Sequence, residues 1–540
     1  LNGHRARRRR MHLQLPNRLD RGIAQIGGGP MGYRRMLLAD SPKAGSGNLL
    51  YALEVFRNDG PWTRPDDYRK FNGMLRYAEG SAGDGFALTA MAYQGNWNAT
   101  NQVPKRAVDA GLIGRFDSMD NSDGGEASRY SLSGTWGKTG ASSASSANAY
   151  LIGSRLRLWN NFTFFQDDTV NGDQFEQTDR RLTSGFNARH SVFGKWNGRD
   201  IDNTFGLQFR HDNINLGLFH TRQRARIGTT RADDVVESSI APYYENNLRW
   251  SDWFRTVAGL RADFYRGRVS SDNARNSGGV GDHMISPKLS LIFGPWAKTE
   301  YFINYGQGFR SNDLRGATIR VDPKNPANAV TREALLVRAT GYETGLRTTL
   351  IPNLQSTVAV FALDVHSELL FQGDAGTTAD SGRPSRRVGF EMTNLYKPND
   401  WFELDADIAF TRARFTNIDT AGAGDKVPGA IEGVATLTAS IDGRGPYFGS
   451  ARLRYFGPRP LIENNSLRSN STFLVSGRVG YKFEKRLRLQ LDGFNLLNRR
   501  ASQIDYAYTS QLKTEAAPVN DIHFHPAEPR SVRLSAVLSF

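Results

Sequence analysis

Apolar and polar residues alternate with a period of two over most of the chain. At the C-terminus, Val532, Leu534, Ala536, Leu538 and Phe540 share one face. Ser531, Arg533, Ser535 and Ser539 take the other, with Val537 the one apolar residue among them. Residues 402–411 repeat the pattern: Phe402, Leu404, Ala406, Ile408 and Phe410 alternate with Glu403, Asp405, Asp407, Ala409 and Thr411. So do residues 486–492, where Leu487, Leu489 and Leu491 alternate with Arg486, Arg488, Gln490 and Asp492. Successive strand side chains point to opposite faces, so this period predicts strands with one apolar and one polar face.

The pattern predicts 22 strands: 22–31, 33–41, 48–57, 69–80, 85–97, 128–138, 146–163, 179–195, 202–220, 236–250, 254–270, 286–293, 299–309, 337–350, 355–371, 387–396, 401–416, 429–441, 447–456, 471–482, 486–499 and 530–540. Many exceed the ~5–6 residues usual in soluble sheets. A strand tilted across a bilayer needs roughly 9–11. The connections alternate in length. Asn197–Asp200, Ser251–Trp253, Gly294–Ala297, Ile351–Asn353, Lys397–Asp400, Asp442–Pro446 and Phe483–Lys485 are short. Residues 98–127, 164–178, 221–235, 271–285, 310–336, 372–386, 417–428, 457–470 and 500–529 form long polar loops. Tight turns on one rim and long loops on the other describe an all-β, 22-stranded antiparallel transmembrane barrel, with short periplasmic turns and long extracellular loops.

Tryptophan sharpens this expectation. Six of the nine, Trp136, Trp196, Trp250, Trp253, Trp296 and Trp401, fall at or beside short turns. That is where an interfacial girdle sits. Net charge is +15, and Arg outnumbers Lys by 56 to 13. Most of the arginines alternate with apolar residues along strands, as Arg452, Arg454 and Arg478 do. They therefore predict a lumenal lining and no nucleic-acid groove, since Arg on the lipid face near the midplane costs about 2–4 kcal/mol. Cys is absent, which excludes disulfides, thiol catalysis and Cys-ligated metal. No apolar run is long enough for a transmembrane helix.

Three runs carry a family resemblance. Tyr305-Gly306-Gln307-Gly308-Phe309-Arg310 precedes a long loop, and Tyr342-Glu343-Thr344-Gly345-Leu346-Arg347 follows it. Phe494-Asn495-Leu496-Leu497-Asn498-Arg499-Arg500 lies near the C-terminus, and Phe540 ends the last alternating strand. In order and spacing these resemble the "GFR", "E-x-G" and "NLxN" strand ends and the terminal aromatic of TonB-dependent outer-membrane receptors. Ala501 departs from the Tyr that often follows the last of these boxes. The resemblance implies a plugged barrel in the Gram-negative cell outer membrane, and active uptake of a scarce ligand such as a ferric siderophore or other metal chelate. Outer-membrane lipid and lipopolysaccharide are the implied surroundings. The TonB complex is a partner only where a plug is present. The expected domains are a disordered or non-native segment 1–20, a candidate plug remnant, and a barrel over 21–540. The Arg-rich start (Arg5, Arg7, Arg8, Arg9 and Arg10) has no strand pattern, and the sequence reads as a truncated chain without its plug.

No catalytic constellation or cofactor motif stands out, so an enzyme is not expected. For ligand capture the candidates near the outer rim are Trp97, Asn98, Phe165, Arg310 and Asn312. Trp159 is assigned to an outer aromatic girdle. His523 and His525 alternate in the last long loop and are the candidate metal pair, because alternate residues of an extended segment project the same way. Asp117, Asp120, Asp123 and Glu126, and Asp167, Asp168, Asp173 and Glu176, are acidic loop clusters read chiefly as solubilising. The alternative function is a passive porin, which fewer strands, commonly 16–18, and a loop folded inward would mark.

Overall fold

The computed structural model describes residues 15–372, 377–417, 424–484 and 486–540. The Arg-rich start, Lys485 and parts of the loops 372–386 and 417–428 lie outside the described residues. One antiparallel sheet dominates: 22 wall strands, with the two-residue bridge Lys43–Ala44 added to them. It closes on itself. Ile23–Gly28 pairs with Arg34–Asp40 on one side and with Ser531–Ser539 on the other. Closure leaves no wall edge unpaired, which a hydrocarbon surrounding requires. Among the described residues no helix is long and apolar enough to cross a membrane.

Residues paired across an antiparallel ladder share a face. That rule sorts the wall. Ile26, Met36, Val55 and Phe71 form one register row and are 40–62 % exposed, so they face outward. Their chain neighbours face the lumen and bind one another. Glu54 takes Arg35 at 2.7 Å, Lys70 at 2.9 Å and the Asn72 amide at 2.6 Å. Arg478 pairs with Asp492 while its neighbour Val479 is exposed on the outer face. Arg452 and Arg454 lie opposite the outward Tyr455. The sequence assignment of these arginines to the lumen therefore holds.

The short-turn rim carries the expected girdle. Trp136, Trp196, Trp250, Trp253 and Trp296 are exposed, and Trp253 stacks on Trp296 at 6.1 Å. Phe540 closes this rim, with reciprocal backbone hydrogen bonds to Gly22. Its ring lies 2.5 Å from where a Cβ on Gly22 would stand, so a larger residue there would have to displace it. Asn17 binds the lumenal Arg76 at 2.7 Å, and the Leu19 amide donates to Ser41. The chain entering the first strand is thus tied to the inside of the wall.

Two expected loops are mostly strand. Residues 221–235 belong to a ribbon formed by Arg199–Arg222 and Ala225–Ser251, and much of 271–285 belongs to Gly278–Trp296. These strands extend past the apolar band, where the outer face turns largely polar and the period-two signal fades while ladder bonds continue. Gln223 and Arg224 both have positive φ, 50° and 66°, and close the ribbon in two residues. Two of the remaining long connections carry structure of their own. Loop 99–123 holds the helix Lys105–Asp109, and the last loop holds the hairpin Ser502–Ser510 with Val519–Pro526.

Candidate functional site

Three loops meet over the long-loop rim and form a cap. Val103 and Pro104 of the first pair with Phe524 and His523 of the last. Ala107, Phe164 and Leu512, one from each loop, make its buried apolar centre. Arg106 is the main polar tie. Its guanidinium takes both oxygens of Glu515 at 2.7 and 2.8 Å and donates to the Ser510 carbonyl at 3.0 Å. Its backbone N–H donates to Asp521 at 2.8 Å. Beside these carboxylates the Arg106 pKa moves further up.

The acidic clusters act as staples. Asp123 is buried and accepts from Asn101, Asn161 and Gln174. Burial, with Asp120 nearby, pushes its carboxyl well above the ordinary range. Asp173 gathers the backbone N–H groups of Gln166, Asp167 and Asp168. These carboxylates hold loop backbone in place, a role beyond solubility that the composition did not disclose.

His523 is fully buried and stacks on Tyr508 at 3.7 Å. Its Nδ1 lies 3.1 Å from the Asp521 carbonyl and so carries the proton. Its Nε2 then accepts from the Ser510 hydroxyl at 2.7 Å. Burial lowers its pKa to about 3. His525 packs against Trp62 at 4.6 Å. Both rings are built into the cap's packing. Among the described residues, no three His, Cys, Asp or Glu side chains are grouped to hold a metal ion.

The other candidates divide into three places. Trp97 shares the inner face with Gly125 and Leu158, and its ring lies 2.5 Å from where a Gly125 Cβ would be. Asn98 accepts from Arg64 at 3.1 Å and from Arg224 at 3.3 Å. Phe165 packs beside the cap's apolar centre. Arg310 and Asn312 converge on one oxygen of Asp380, at 2.8 and 2.6 Å. They clamp the hairpin Leu369–Gln372 with Thr377–Asp380 onto the mouth. Trp159 is not a girdle residue. It is 6 % exposed and lies between the guanidiniums of Arg157 and Arg224, at 4.7 and 4.8 Å. Cation–π contact between strand and turn has drawn it out of the lipid-facing set.

Sequence reasoning missed the loop 312–335. Its helix Leu314–Thr318 lays Leu314 and Ala317 on Ile214, Val235, Val269 and Met284. Val235 alternates with the outward Val236, so this packing lies on the inner wall. The one signal was Leu335-Leu336-Val337, a run apolar at every position, and all three are buried. A loop folded inward is one of the two porin marks, but the strand number of 22 is not the other.

Comparison with solved structures gives the same architecture. The chain superposes on the closed form of the ferric-catecholate import receptor Fiu from E. coli K12, with TM-score 0.76, 15 % identity, and 98 % of this chain and 82 % of that one covered. For the ferric yersiniabactin uptake receptor FyuA from Yersinia pestis the values are 0.76, 15 %, 98 % and 81 %. For the siderophore receptor PiuA from Acinetobacter baumannii they are 0.78, 12 %, 97 % and 82 %. At these identities the likeness establishes the fold. The family model for the TonB dependent receptor-like β-barrel matches residues 46–496, most of the chain. With the closed wall, the motif-bearing strand ends and this match together, the chain belongs to the TonB-dependent receptor β-barrel family.

Proposed function

We propose that the barrel serves uptake of a scarce metal chelate, a ferric siderophore foremost, across the outer membrane of a Gram-negative bacterium. The observation that carries this reading is the lumenal wall below a loop-built mouth. Exposed arginines such as Arg452 and Arg454 face inward there, in a barrel whose structural neighbours are ferric-chelate receptors. A water-filled passage lined by guanidinium groups attracts an anionic complex and discourages free cations. In this family the energy comes from TonB acting on a plug, and that coupling belongs to the same reading.

Trp97 and Phe165 would give the chelate aromatic surface at the mouth. Arg310 and Asn312 become available to it when the hairpin carrying Asp380 swings away. A metal role for His523 and His525 would require the last hairpin to open, because both rings are packed inside it. The passive-channel alternative rests on the inward loop alone.

The test is growth and radiolabelled-iron uptake in a deletion strain complemented with the gene, offered individual ferric siderophores at low concentration. Saturable uptake that is abolished by loss of TonB supports the reading. Uptake that rises linearly with concentration and ignores TonB would leave a passive channel.

A further inference from the structure

Closure gives every wall strand two neighbours, but one ladder stops well short of its strands' ends. Gly278–Trp296 pairs with Thr299–Ser311 only from Trp296 up to Lys288, which lies opposite Gly306. Beyond that pair each strand keeps its other neighbour. Gly278–Trp296 stays in unbroken register with Phe254–Ser271 as far as Gly278, and Thr299–Ser311 stays paired with Leu336–Thr348 as far as Ser311. The wall therefore forks above Lys288 and Gly306, toward the long-loop rim. The lower part of the fork is at lipid level, because Ile285 on its edge and Phe264 beside it are exposed on the outer face.

The forked edge is finished to stand without a partner strand. Gly294 donates to Trp253, on the side of Phe254–Ser271, so along the unbroken register the odd-numbered residues aim N–H and C=O into the fork. Pro287 has no N–H to lose there. The His283 N–H is taken by Asp282 at 2.8 Å, and the Ile285 carbonyl accepts from Arg338 at 3.4 Å. The second oxygen of Asp282 accepts from the Leu336 N–H, across the fork, at 3.3 Å. Backbone without a ladder partner is costly beside hydrocarbon, so a proline and two charged side chains in these places mark the fork as a built feature.

A ring passes through it. By alternation Phe309 stands on the outward side with Tyr305, whose cross-strand partner Tyr342 is exposed. Yet Phe309 packs edge-on against Tyr265, ring centroids 5.7 Å apart. Tyr265 alternates with the outward Phe264 and packs on the inner apolar cluster that holds Met284, Leu314 and Leu336. Phe309 thus joins two faces that an unbroken ladder would keep apart, and apolar surface runs from the outer band through the fork to the inner wall.

We infer that the fork is a lateral portal for the apolar tail of an amphiphilic ligand. The Phe309 ring turns aside, an alkyl chain takes its place, and the chain rests on Met284, Leu314 and Leu336 while the polar head stays in the lumen. The tail then meets apolar surface at every step, where the polar lumen elsewhere would leave it in water. The inference rests on the reading of the barrel as an uptake receptor and narrows its ligand to an amphiphilic chelate.

The chain has no cysteine, so one introduced thiol reports on one place. Met284→Cys puts it behind the fork. Ala359→Cys puts it at a buried inner position whose ladders are unbroken on both sides. The full chain is reconstituted in phospholipid vesicles and treated with N-dodecylmaleimide or with a charged, membrane-impermeant maleimide, and the adduct is followed by mass spectrometry. Rates on the unfolded chain correct for intrinsic reactivity, and the gel-mobility shift on heating verifies that each variant is folded. Met284→Cys should take the dodecyl reagent about tenfold or more faster than Ala359→Cys, as a local opening predicts. It should take the charged reagent more slowly than the dodecyl one. Adding Phe309→Ala should raise the dodecyl rate, and adding Phe309→Trp should lower it. Equal dodecyl rates at the two positions, or a rate indifferent to residue 309, overturn the portal. Faster labelling by the charged reagent overturns it too, because the route would then run through the lumen. The labelling needs neither TonB nor a chelate, so the portal and the uptake reading can fail separately.

Discussion

Asp66 shows how one side chain can set the pH response of a loop. It lies in the connection 59–67 and accepts from the Trp62 indole at 2.7 Å. Burial raises its pKa from 3.8 to about 7, with Glu528 and Asp59 adding to the shift and the Trp62 hydrogen bond opposing it. Below about pH 4 the carboxyl is protonated whether the loop is folded or open. Between 4 and 7 only the folded loop keeps the proton, so its stability falls as pH rises, and above 7 the whole cost is present. Asp66→Asn keeps an acceptor for Trp62 and cannot ionise. We expect the variant to match the wild type at pH 4. At pH 8 its loop should exchange amide hydrogens about tenfold or more slowly than the wild-type loop, after correction for intrinsic rates. His525, packed against Trp62, also titrates low because it is buried, and comparing variant with wild type at one pH removes its contribution. Equal protection at pH 8 would refute the role of Asp66.

At the scale of elements, the wall and the cap differ in what holds them. The wall is local pairing repeated between neighbours in the chain. The cap is tied by contacts such as Arg106 with Glu515 and Asp521, more than 400 residues apart. Arg106→Ala leaves both carboxylates without their cation inside the cap, at a local cost of about 1–3 kcal/mol. Amide protection should fall in 99–123 and 502–526 and stay unchanged in Arg199–Arg222. Arg106→Lys restores only part of it, because one ammonium cannot span Glu515 and Ser510 together. Loss of protection throughout the barrel would show that the cap is not a separate unit. The same contrast explains what the sequence made legible. All the wall strands were visible because lipid and lumen impose opposite polarity on alternate residues. The ends of 202–220 and 236–250 were not, because beyond the apolar band the outer face turns largely polar while the inner face is covered by another loop. Trp159 was misplaced because composition does not reveal that Arg224, far along the chain, lies over its ring. Trp97 and Asn98 end the strand Gly85–Asn98 on the long-loop side, but their division between inner and outer faces needed the register. His523 and His525 do alternate on one strand, while the burial that surrounds them comes from another loop.

For the whole molecule, the organising fact is that inside and outside are exchanged relative to a soluble protein. Large apolar side chains such as Val360 and Phe410 are exposed outward, at 51 and 56 %, and charged networks face in. Hydrophobic burial here is completed by lipid, so the free energy of assembly depends on which face a substitution enters. Val360 lies in the middle of Leu354–Val365, in one row with Phe390 and the outward Phe410. Thr393, at the middle of the adjacent strand, pairs with Thr357 on the lumenal side. Val360→Arg should destabilise the barrel by about 2–4 kcal/mol, the cost of Arg near a bilayer midplane. Thr393→Arg places the same charge in a wet lumen and should cost far less. Reversible unfolding in phospholipid vesicles, followed by the gel-mobility shift of heated against unheated samples, measures both. If the Thr393 variant is the less stable of the two, the two faces have been assigned the wrong way round, and the lumenal placement of Arg452, Arg454 and Arg478 falls with them.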